Sequence, residues 1–306
     1  MCGIIGVCHD VNASKKVMQA LALLKNRGRD GVGIATNDKV YYAKNVQGIQ
    51  GIDSSIVLGH TLHAIVGHVP QPLQDSSNNV TLTSNCEIYN WEELNVKYNA
   101  GAKNDTQFLL WFLTAFGVEK ISLLDGVYAF AYLKGTTLTI ARDIIGVKPL
   151  FYSHTLDSFA FCSEQKVLEN IGYVDIKELN PRQFLVYDTK NHTIQFKKRE
   201  FFSVVPEHTI SHSQIKIELA KLLESSIQKR IPAENKKIGL LFSGGIDSTF
   251  IAHTLQKLGV DFTCYTTVLD TQTAIPEDLI YAEKVAKEFN LTHRIRKISL
   301  KEIKPY

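Results

Sequence analysis

Two stretches of this 306-residue sequence have residue types and spacing that could do chemistry. The chain begins Met1-Cys2-Gly3, and Cys2 becomes the first residue if the initiator methionine is removed. Its thiol and a free α-amine would then lie on one residue, and an amine that titrates near ~8 can act as a base toward that thiol. These residues alone permit either an N-terminal nucleophile or an ordinary cysteine at the start of a strand.

The second stretch is SGGIDS at residues 243–248, between an apolar strand-like run and a helical pattern. Two adjacent glycines allow backbone N–H groups to face an anion, and the serine hydroxyls and a helix N-terminus add donors. The stretch has no lysine, so it is not a Walker P-loop. Binding of phosphate oxygens is the expected chemistry, and an ordinary glycine-rich turn is the alternative.

The elements that must position these residues fall into two blocks. Residues 1–205 alternate strand pairs with a few helices, and this pattern predicts a layered α+β sandwich. Helices are expected from Ser14 to Gly28 and from Asn104 to Gly117, and a hairpin is expected at Lys134-Gly135.

Residues 206–306 show a different order: helix, strand, helix, strand, helix, strand. This order predicts an α/β domain with a parallel sheet. The first helix is expected to face a core through Ile215, Leu219, Leu222, Leu223 and Ile227, and residues 236–242 are expected to form a buried strand. The sheet stops at Tyr306 after about three strands, so we expect the rest of this domain on a longer chain or a separate polypeptide.

Composition is that of a well-packed protein, with 44% hydrophobic and 21% charged residues. A net charge of +3 is too small to indicate a nucleic-acid or membrane surface as partner. Five scattered cysteines without a C-x-x-C motif, and no signal peptide or membrane-length apolar run, predict a cytoplasmic protein. His60, His63 and His68 are not expected to converge, so no metal site is predicted.

Seven motifs of the first block occur in a recognisable order. They are Cys2-Gly3-Ile4, Arg27-Gly28-Arg29-Asp30-Gly31, Gly59-His60-Thr61, Gln71-Pro72-Leu73, Asn85-Cys86-Glu87-Ile88-Tyr89-Asn90, Asn104-Asp105-Thr106 and Arg142-Asp143-Ile144-Ile145-Gly146-Val147-Lys148-Pro149-Leu150. Together they resemble the class II glutamine amidotransferase domain of glutamine-hydrolysing asparagine synthetases, and SGGIDS resembles the pyrophosphate loop of ATP pyrophosphatases. The resemblance implies an αββα N-terminal-nucleophile sandwich over residues 1–205 and a partial α/β ATP pyrophosphatase domain over 206–306.

The resemblance also implies roles in glutamine hydrolysis. Cys2 would be the nucleophile, and the Asn85 side chain with the Cys86 backbone N–H would stabilise the oxyanion. Asp105 would pair with the α-ammonium of glutamine, and Glu87 would help to orient it. Arg27 and Asp30 would brace the loops around the nucleophile.

Two positions depart from the family pattern. The usual Asn-Gly-Glu is Asn85-Cys86-Glu87 here, and the usual Gly-His-x-Arg-Leu is Gly59-His60-Thr61-Leu62-His63. Leu62 therefore occupies the place of the arginine that binds the glutamine α-carboxylate, a loss of about 1.5–3 kcal/mol. Leu62 and His63 are still assigned to the glutamine site, and His63 is expected to compensate in part.

For the second block the resemblance implies an ATP site and the ligands ATP and Mg²⁺. Its predicted residues are Leu241, Ser243, Gly244, Gly245, Asp247, Ser248, Thr267 and Val268. The implied activity is glutamine-dependent asparagine synthesis with glutamine, aspartate and ATP as substrates, in a chain that is a homo-oligomer or lacks a C-terminal portion. Two alternatives remain: a related adenylating amide ligase with an impaired glutaminase domain, and a non-catalytic amidotransferase-like fragment.

Overall fold

The computed structural model describes residues 1–65, 67–201, 211–232, 237–270, 276–299 and 302. Its backbone forms two units, residues 1–204 and 205–306. The predicted domain boundary after residue 205 falls within residues 202–210, outside the described part of the chain. The division into two functional domains therefore stays a prediction.

The first unit consists of paired strands with helices between them. Its strands are β1 (Gly3–Cys8), β2 (Gly31–Ala35), β3 (Val40–Ala43), β4 (Ile56–Leu62), β5 (Leu73–Asp75), β6 (Val80–Ile88), β7 (Gly126–Lys134), β8 (Thr137–Arg142), β9 (Phe151–His154), β10 (Phe159–Cys162), β11 (Lys177–Glu178), β12 (Gln183–Asp188) and β13 (Thr193–Lys198). Its helices are α1 (Ala13–Leu23), α2 (Trp91–Tyr98), α3 (Asp105–Phe116) and α4 (Gln165–Asn170). Short 3₁₀ turns cover Leu24–Asn26, Val46–Gly48 and Val118–Leu123.

Two antiparallel sheets are built from these strands. One has the order β11-β9-β10-β1-β4-β2-β3, and the other has the order β13-β12-β8-β7-β6-β5. Because side chains alternate between the two faces of a strand, β1 presents Ile4 to the opposite sheet and Ile5 to α1.

Three apolar layers hold the first unit together. Val17, Leu21 and Leu24 pack α1 and the turn after it onto the first sheet, as the predicted helical stripe requires. Phe108 and Phe112 of α3 pack onto the outer face of the second sheet. A third cluster lies between the sheets and includes residues of β1, β4, β7, β8 and β12. The arrangement is helix, sheet, sheet, helix, and the predicted αββα sandwich is confirmed.

The second unit contains α5 (His212–Gln228), β14 (Ile238–Leu241), α6 (Ile246–Lys257), β15 (Phe262–Leu269), α7 (Glu277–Glu288) and β16 (His293–Ile298). The three strands form a parallel sheet in the order β14-β15-β16. The predicted α/β unit with a parallel sheet is confirmed. Its apolar cluster is small and centres on Phe242, Cys264 and Ala282.

Two expectations for this unit are wrong. Helix α5 has no buried residue, and Leu219, Leu222 and Leu223 are exposed where a core-facing stripe was expected. Strand β14 is an edge strand, and Leu241 is 84% exposed instead of buried. The reason is geometric: periodicity shows that a face is apolar, but it does not show what covers that face.

Candidate active site

Cys2 lies immediately before the first residue of β1, which is the central strand of the first sheet. The residue is half-buried and its thiol is free. Its Sγ accepts a hydrogen bond from the His63 backbone amide at 3.3 Å. Gly3 pairs with Thr61 across the β1–β4 ladder, so the next step along each strand brings Cys2 beside Leu62. The fold therefore joins the two parts of the predicted glutamine site.

Arg27 and Asp30 hold the backbone around this cysteine. Arg27 Nε donates to the Cys2 carbonyl at 3.0 Å, and its Nη1 lies 3.5 Å from Glu164 Oε1. Asp30 Oδ2 accepts from the Ala64 amide at 2.8 Å and lies 3.7 Å from His63 Nδ1. Both side chains contact backbone that flanks Cys2, so their contacts are those of bracing residues.

Opposing influences act on the Cys2 thiol and the chain's N-terminal amine. Burial raises the pKa of the thiol, whereas the His63 hydrogen bond, the N-terminal amine, Lys148 and Arg27 lower it. Burial lowers the pKa of the Met1 amine, the charge of Cys2 raises it, and Arg27 and Lys148 lower it. Arg27 and Lys148 are therefore two cations whose charge acts on both groups at this end of β1.

Asn85 supplies an unsatisfied donor on the inner face of β6. Thr83 Oγ1, two residues earlier on the same face, donates to the Gly59 carbonyl of the opposite sheet. Asn85 is buried, and among the described residues its Nδ2 has no hydrogen-bond partner. A buried donor without a partner is costly unless a ligand uses it. The side chain thus has the property that an oxyanion donor requires.

The Cys86 amide lies on the free edge of the same strand. The Ser84 amide donates to Gln71 Oε1 at 2.8 Å, away from β7. Amides two residues apart on a strand point the same way, so the Cys86 N–H faces that edge too. Asn85 Nδ2 and the Cys86 N–H are therefore adjacent donors on β6.

The Cys86 thiol turns away from the inner face. Its Sγ lies 3.6 Å from Thr106 Oγ1 and 3.7 Å from Asp105 Oδ2, both at the start of α3. Burial, and after it the charge of Asp105, raises the pKa of this thiol well above its usual value. The side chain that replaces the family's glycine thus stays a neutral thiol on the outer face of the sheet.

The two acidic residues of the predicted glutamine site differ in exposure: Asp105, predicted to pair with the α-ammonium, is half-buried, and Glu87, predicted to help orient glutamine, is exposed. Asp105 opens α3, and its Oδ2 accepts from the Ile88 amide at 3.3 Å. Burial raises the pKa of Asp105, with Glu87 as a further cause. Glu87 is exposed and lies on the same face of β6 as Asn85. The structure brings both carboxyl groups to the Asn85–Cys86 end of the strand.

Leu62 ends β4 with a buried side chain that lines a cavity of about 400 Å³. The cavity wall also contains Asp30, Gly31, Val32, Tyr42, Ala43, Lys44, His60, His68, Pro70 and Gln71. His63 is exposed and does not line this cavity. Leu62 therefore leaves an apolar surface where the family has a guanidinium. The wall of the same cavity contains the basic side chains of Lys44 and His68, together with buried His60.

In the second unit, SGGIDS covers the turn after β14 and the first three residues of α6. Gly245 caps α6, and its amide donates to Ser243 Oγ at 3.3 Å. Ser248 Oγ lies 3.3 Å from Ser243 Oγ. Gly244 has φ +72°, and a Cβ there would lie 2.5 Å from the Ala282 backbone nitrogen. The loop needs glycine because it packs directly against α7 in a left-handed conformation.

The remaining predicted nucleotide residues lie where neighbouring parallel strands end. Leu241 is the last residue of β14, and Thr267 and Val268 lie near the end of β15. Asp247 lies exposed in the first turn of α6. Carboxyl ends of adjacent parallel strands meet at one sheet edge, which is where ligands bind in such folds. Thr267 and Leu241 are exposed, whereas Val268 is buried.

Sequence reasoning assigned no role to Lys148, Gln71 or buried His60. Each belongs to a motif that was noticed, but its contacts depend on residues distant in the chain. Within the described ranges, no three His, Cys, Asp or Glu side chains are grouped as a metal site would require. No helix in those ranges is long and apolar enough to cross a bilayer.

Two family models match the chain. One described as a glutamine amidotransferase domain matches residues 1–221, and one described as asparagine synthase matches residues 218–305. A Methanocaldococcus jannaschii protein provisionally named asparagine synthetase (glutamine-hydrolyzing) 1 is 34% identical, with 100% of this chain and 60% of the relative covered. The asparagine synthetase (glutamine-hydrolyzing) of Bos taurus is 28% identical, with 69% and 43% covered.

The chain spans about half the length of the curated relatives it matches. Among solved structures, glutamine phosphoribosylpyrophosphate amidotransferase from B. subtilis is similar at a TM-score of 0.55 and 18% identity. That match covers 85% of this chain and 65% of the other, and it supports the fold alone. The first family model covers most of the chain, and the second matches the unit that carries SGGIDS. The chain belongs to the glutamine amidotransferase domain family, and its residues 218–305 match the model described as asparagine synthase.

Proposed function

We propose that the first unit hydrolyses glutamine at Cys2 after removal of Met1. The observation that carries this proposal is the position of Cys2, whose Sγ lies beside the His63 amide at the end of β1. The family match and the unsatisfied Asn85 donor support it. An N-terminal cysteine with its own amine needs no other general base.

The reaction follows from these groups. The α-amine takes the thiol proton, Sγ attacks the side-chain amide carbon of glutamine, and the carbonyl π electrons move to oxygen. Asn85 Nδ2 and the Cys86 N–H donate to that oxyanion. The C–N bond then breaks, ammonia leaves with the proton held by the amine, and water hydrolyses the γ-glutamyl thioester to glutamate and free Cys2.

Asp105 is proposed to receive the α-ammonium of glutamine, and Glu87 to help orient the substrate, because both carboxyl groups lie at the end of β6 that carries Asn85 and Cys86. The α-carboxylate is proposed to lie on the Leu62–His63 side of Cys2. A positively charged side chain beside the α-carboxylate would supply part of the binding energy that the family's arginine supplies.

For a protein of the relatives' full length, we propose that the ammonia is used to make asparagine. In this reaction the aspartate β-carboxylate attacks ATP, pyrophosphate leaves, and ammonia displaces AMP from the β-aspartyl adenylate. The SGGIDS loop and the ends of β14 and β15 would bind the nucleotide through backbone N–H groups and hydroxyls. Magnesium would be held mainly by the phosphates, with Asp247 as the carboxylate of the loop. A cytoplasmic location and self-association stay predictions.

Labelling with an electrophilic glutamine analogue, a diazoketone, tests the proposed glutaminase. Mass spectrometry should show that Met1 is absent and that one label is attached to Cys2. Cys2→Ala should abolish both labelling and glutamine hydrolysis while thermal unfolding stays that of a folded protein. Hydrolysis at the wild-type rate by Cys2→Ala would show that another group is the nucleophile.

A second assay tests the synthetase step separately. A chain of the relatives' full length, supplied with ATP, Mg²⁺, ammonium and candidate acids, should release pyrophosphate most rapidly with aspartate. Ammonium bypasses the glutaminase, so Cys2→Ala should retain this activity. Pyrophosphate release with a different acid but not with aspartate would overturn asparagine as the product.

A further inference from the structure

Lys148 is a buried cation for which neither family resemblance nor sequence pattern supplied a role. Its side chain lies in the loop between β8 and β9, and the residue is only 7% exposed. Lysine is seldom buried to this extent unless its charge is paired. In the described ranges, however, no carboxylate or other hydrogen-bond acceptor contacts its ammonium group.

The loop that carries Lys148 is rigidly held. Buried Asp143 accepts from the Val147 amide at 2.9 Å through Oδ1 and from the Lys148 amide at 3.0 Å through Oδ2. The Arg142 guanidinium donates to the Gly146 carbonyl. These contacts fix the backbone at Lys148, and the burial of the residue limits the positions that its side chain can take.

Strand register places Lys148 and Cys2 at the same end of the first sheet. Cys162 of β10 pairs with Ile5 of β1 on one side and with Phe151 of β9 on the other. Cys2 and Lys148 each precede those partners by three residues, and β1 and β9 run in the same direction. Two strand spacings are roughly 10 Å, a gap that the lysine side chain can largely span.

The charges facing Cys2 and the N-terminal amine come from several elements. Lys148 and Arg27 lower the pKa of both the Cys2 thiol and the Met1 amine, whereas Cys2 and Glu87 raise the pKa of that amine. The Arg27 guanidinium already donates to the Cys2 carbonyl and lies 3.5 Å from Glu164. Lys148 is thus the cation without a described counter-ion.

The position of Lys148 excludes one other role. Leu62 lies on β4, whereas Lys148 precedes β9, and these strands lie on opposite sides of β1. Nor is Lys148 among the residues that line the Leu62 cavity. It is therefore not placed to replace the arginine that would bind the glutamine α-carboxylate.

We propose that Lys148 is a positioning residue whose ammonium favours the thiolate form of Cys2. This inference rests on the proposed function, because it assumes that Cys2 is the nucleophile. The lysine neither gives nor takes a proton in the reaction. The thiol proton passes to the α-amine, and the fixed positive charge stabilises the sulfur anion that remains.

Alkylation of Cys2 by iodoacetamide measures the thiolate directly and needs no glutamine. The rate is followed from pH 5 to about pH 10 by mass spectrometry of the N-terminal peptide, for wild type, Lys148→Met and Lys148→Arg. The pH midpoint of the alkylation-rate profile should be roughly one pH unit higher in Lys148→Met than in wild type. Below that midpoint, Lys148→Met should be alkylated about tenfold more slowly than wild type. Lys148→Arg should remain near wild type because it keeps the charge. Lys134→Met, at the far end of β7, is the matched control and should not shift.

An unshifted midpoint in folded Lys148→Met, or an equal shift in Lys148→Arg, would overturn the inference. If Lys148→Met does not fold, Lys148→Gln gives the same test with a polar side chain. The pH profile of glutamine hydrolysis should shift upward together with that of alkylation. A shifted alkylation profile in a protein that does not hydrolyse glutamine would refute the proposed function but not the role of Lys148.

Discussion

The His63 amide donates a hydrogen bond to Cys2 Sγ at 3.3 Å, although 61 positions separate the two residues. The same short segment contains Leu62, which stands where the family has an arginine. The nucleophile and the place expected for the substrate carboxylate are therefore parts of one structure. Changes at Leu62 should alter substrate binding without displacing the nucleophile.

Leu62→Arg should lower the KM for glutamine by about tenfold and leave kcat nearly unchanged. The reason is that a guanidinium would bind the α-carboxylate equally in the ground state and the transition state, a contact of about 1.5–3 kcal/mol. The cavity of about 400 Å³ beside Leu62 has room for the longer side chain. Leu62→Met, which changes shape but adds no charge, is the control for steady-state kinetics. A wild-type KM already in the low micromolar range would show that another residue binds the carboxylate.

Asn85→Ala should lower kcat for glutamine hydrolysis by about 10²–10³-fold and change KM little. The side chain is expected to donate only to the oxyanion, so its loss should appear in the transition state. Stability should not fall, because Asn85 Nδ2 has no partner in the described structure. The exposed Asn37→Ala variant is the control. A large rise in KM with unchanged kcat would assign Asn85 to substrate binding instead.

His60 should make folding stability depend on pH. Burial lowers its pKa to about 3, and its Nε2 donates to the Ser84 carbonyl at 3.1 Å. Between about pH 6.5 and pH 3 the unfolded chain binds a proton at this residue that the folded chain does not. Stability should therefore be lost as pH falls through this window, by up to about 1.4 kcal/mol per pH unit.

Urea unfolding of wild type and His60→Gln at several pH values checks this expectation. The difference in unfolding free energy between the two proteins isolates His60 from other groups that titrate in the same range. The variant should lose less stability than wild type between pH 6 and about pH 4. Parallel pH dependences would contradict the role given to His60.

Gly244→Ala should destabilise the second unit by more than about 2 kcal/mol and abolish nucleotide binding. The residue has φ +72°, and the added Cβ would lie 2.5 Å from the Ala282 nitrogen. Gly259→Ala is the matched control, because Gly259 has φ +68° and open space around it. Gly259→Ala should lower the free energy of unfolding by about 1–2 kcal/mol, from backbone strain alone. Thermal unfolding and nucleotide titration measure both effects, and equal losses in the two variants would contradict the close packing against α7.

Several features of this protein could be predicted from its sequence because they depend on interactions between nearby residues. Asn104 caps α3 by accepting from the Gln107 amide at 2.9 Å, and Gly135 turns the β7–β8 hairpin with φ +58°. Such features depend on neighbours within a few residues, and so does the turn formed by SGGIDS. The order of the motifs also indicated the family and the αββα fold.

Tertiary structure alone decided which side of each element meets which partner. It turned the Cys86 thiol toward α3, left the Asn85 donor without a partner and buried Lys148 at the Cys2 end of the sheet. It also left the apolar residues of α5 exposed where the sequence pattern indicated a core. Periodicity specifies the faces of a helix or strand, but contacts such as that of Cys2 with His63 depend on how strands distant in sequence pair and at what register.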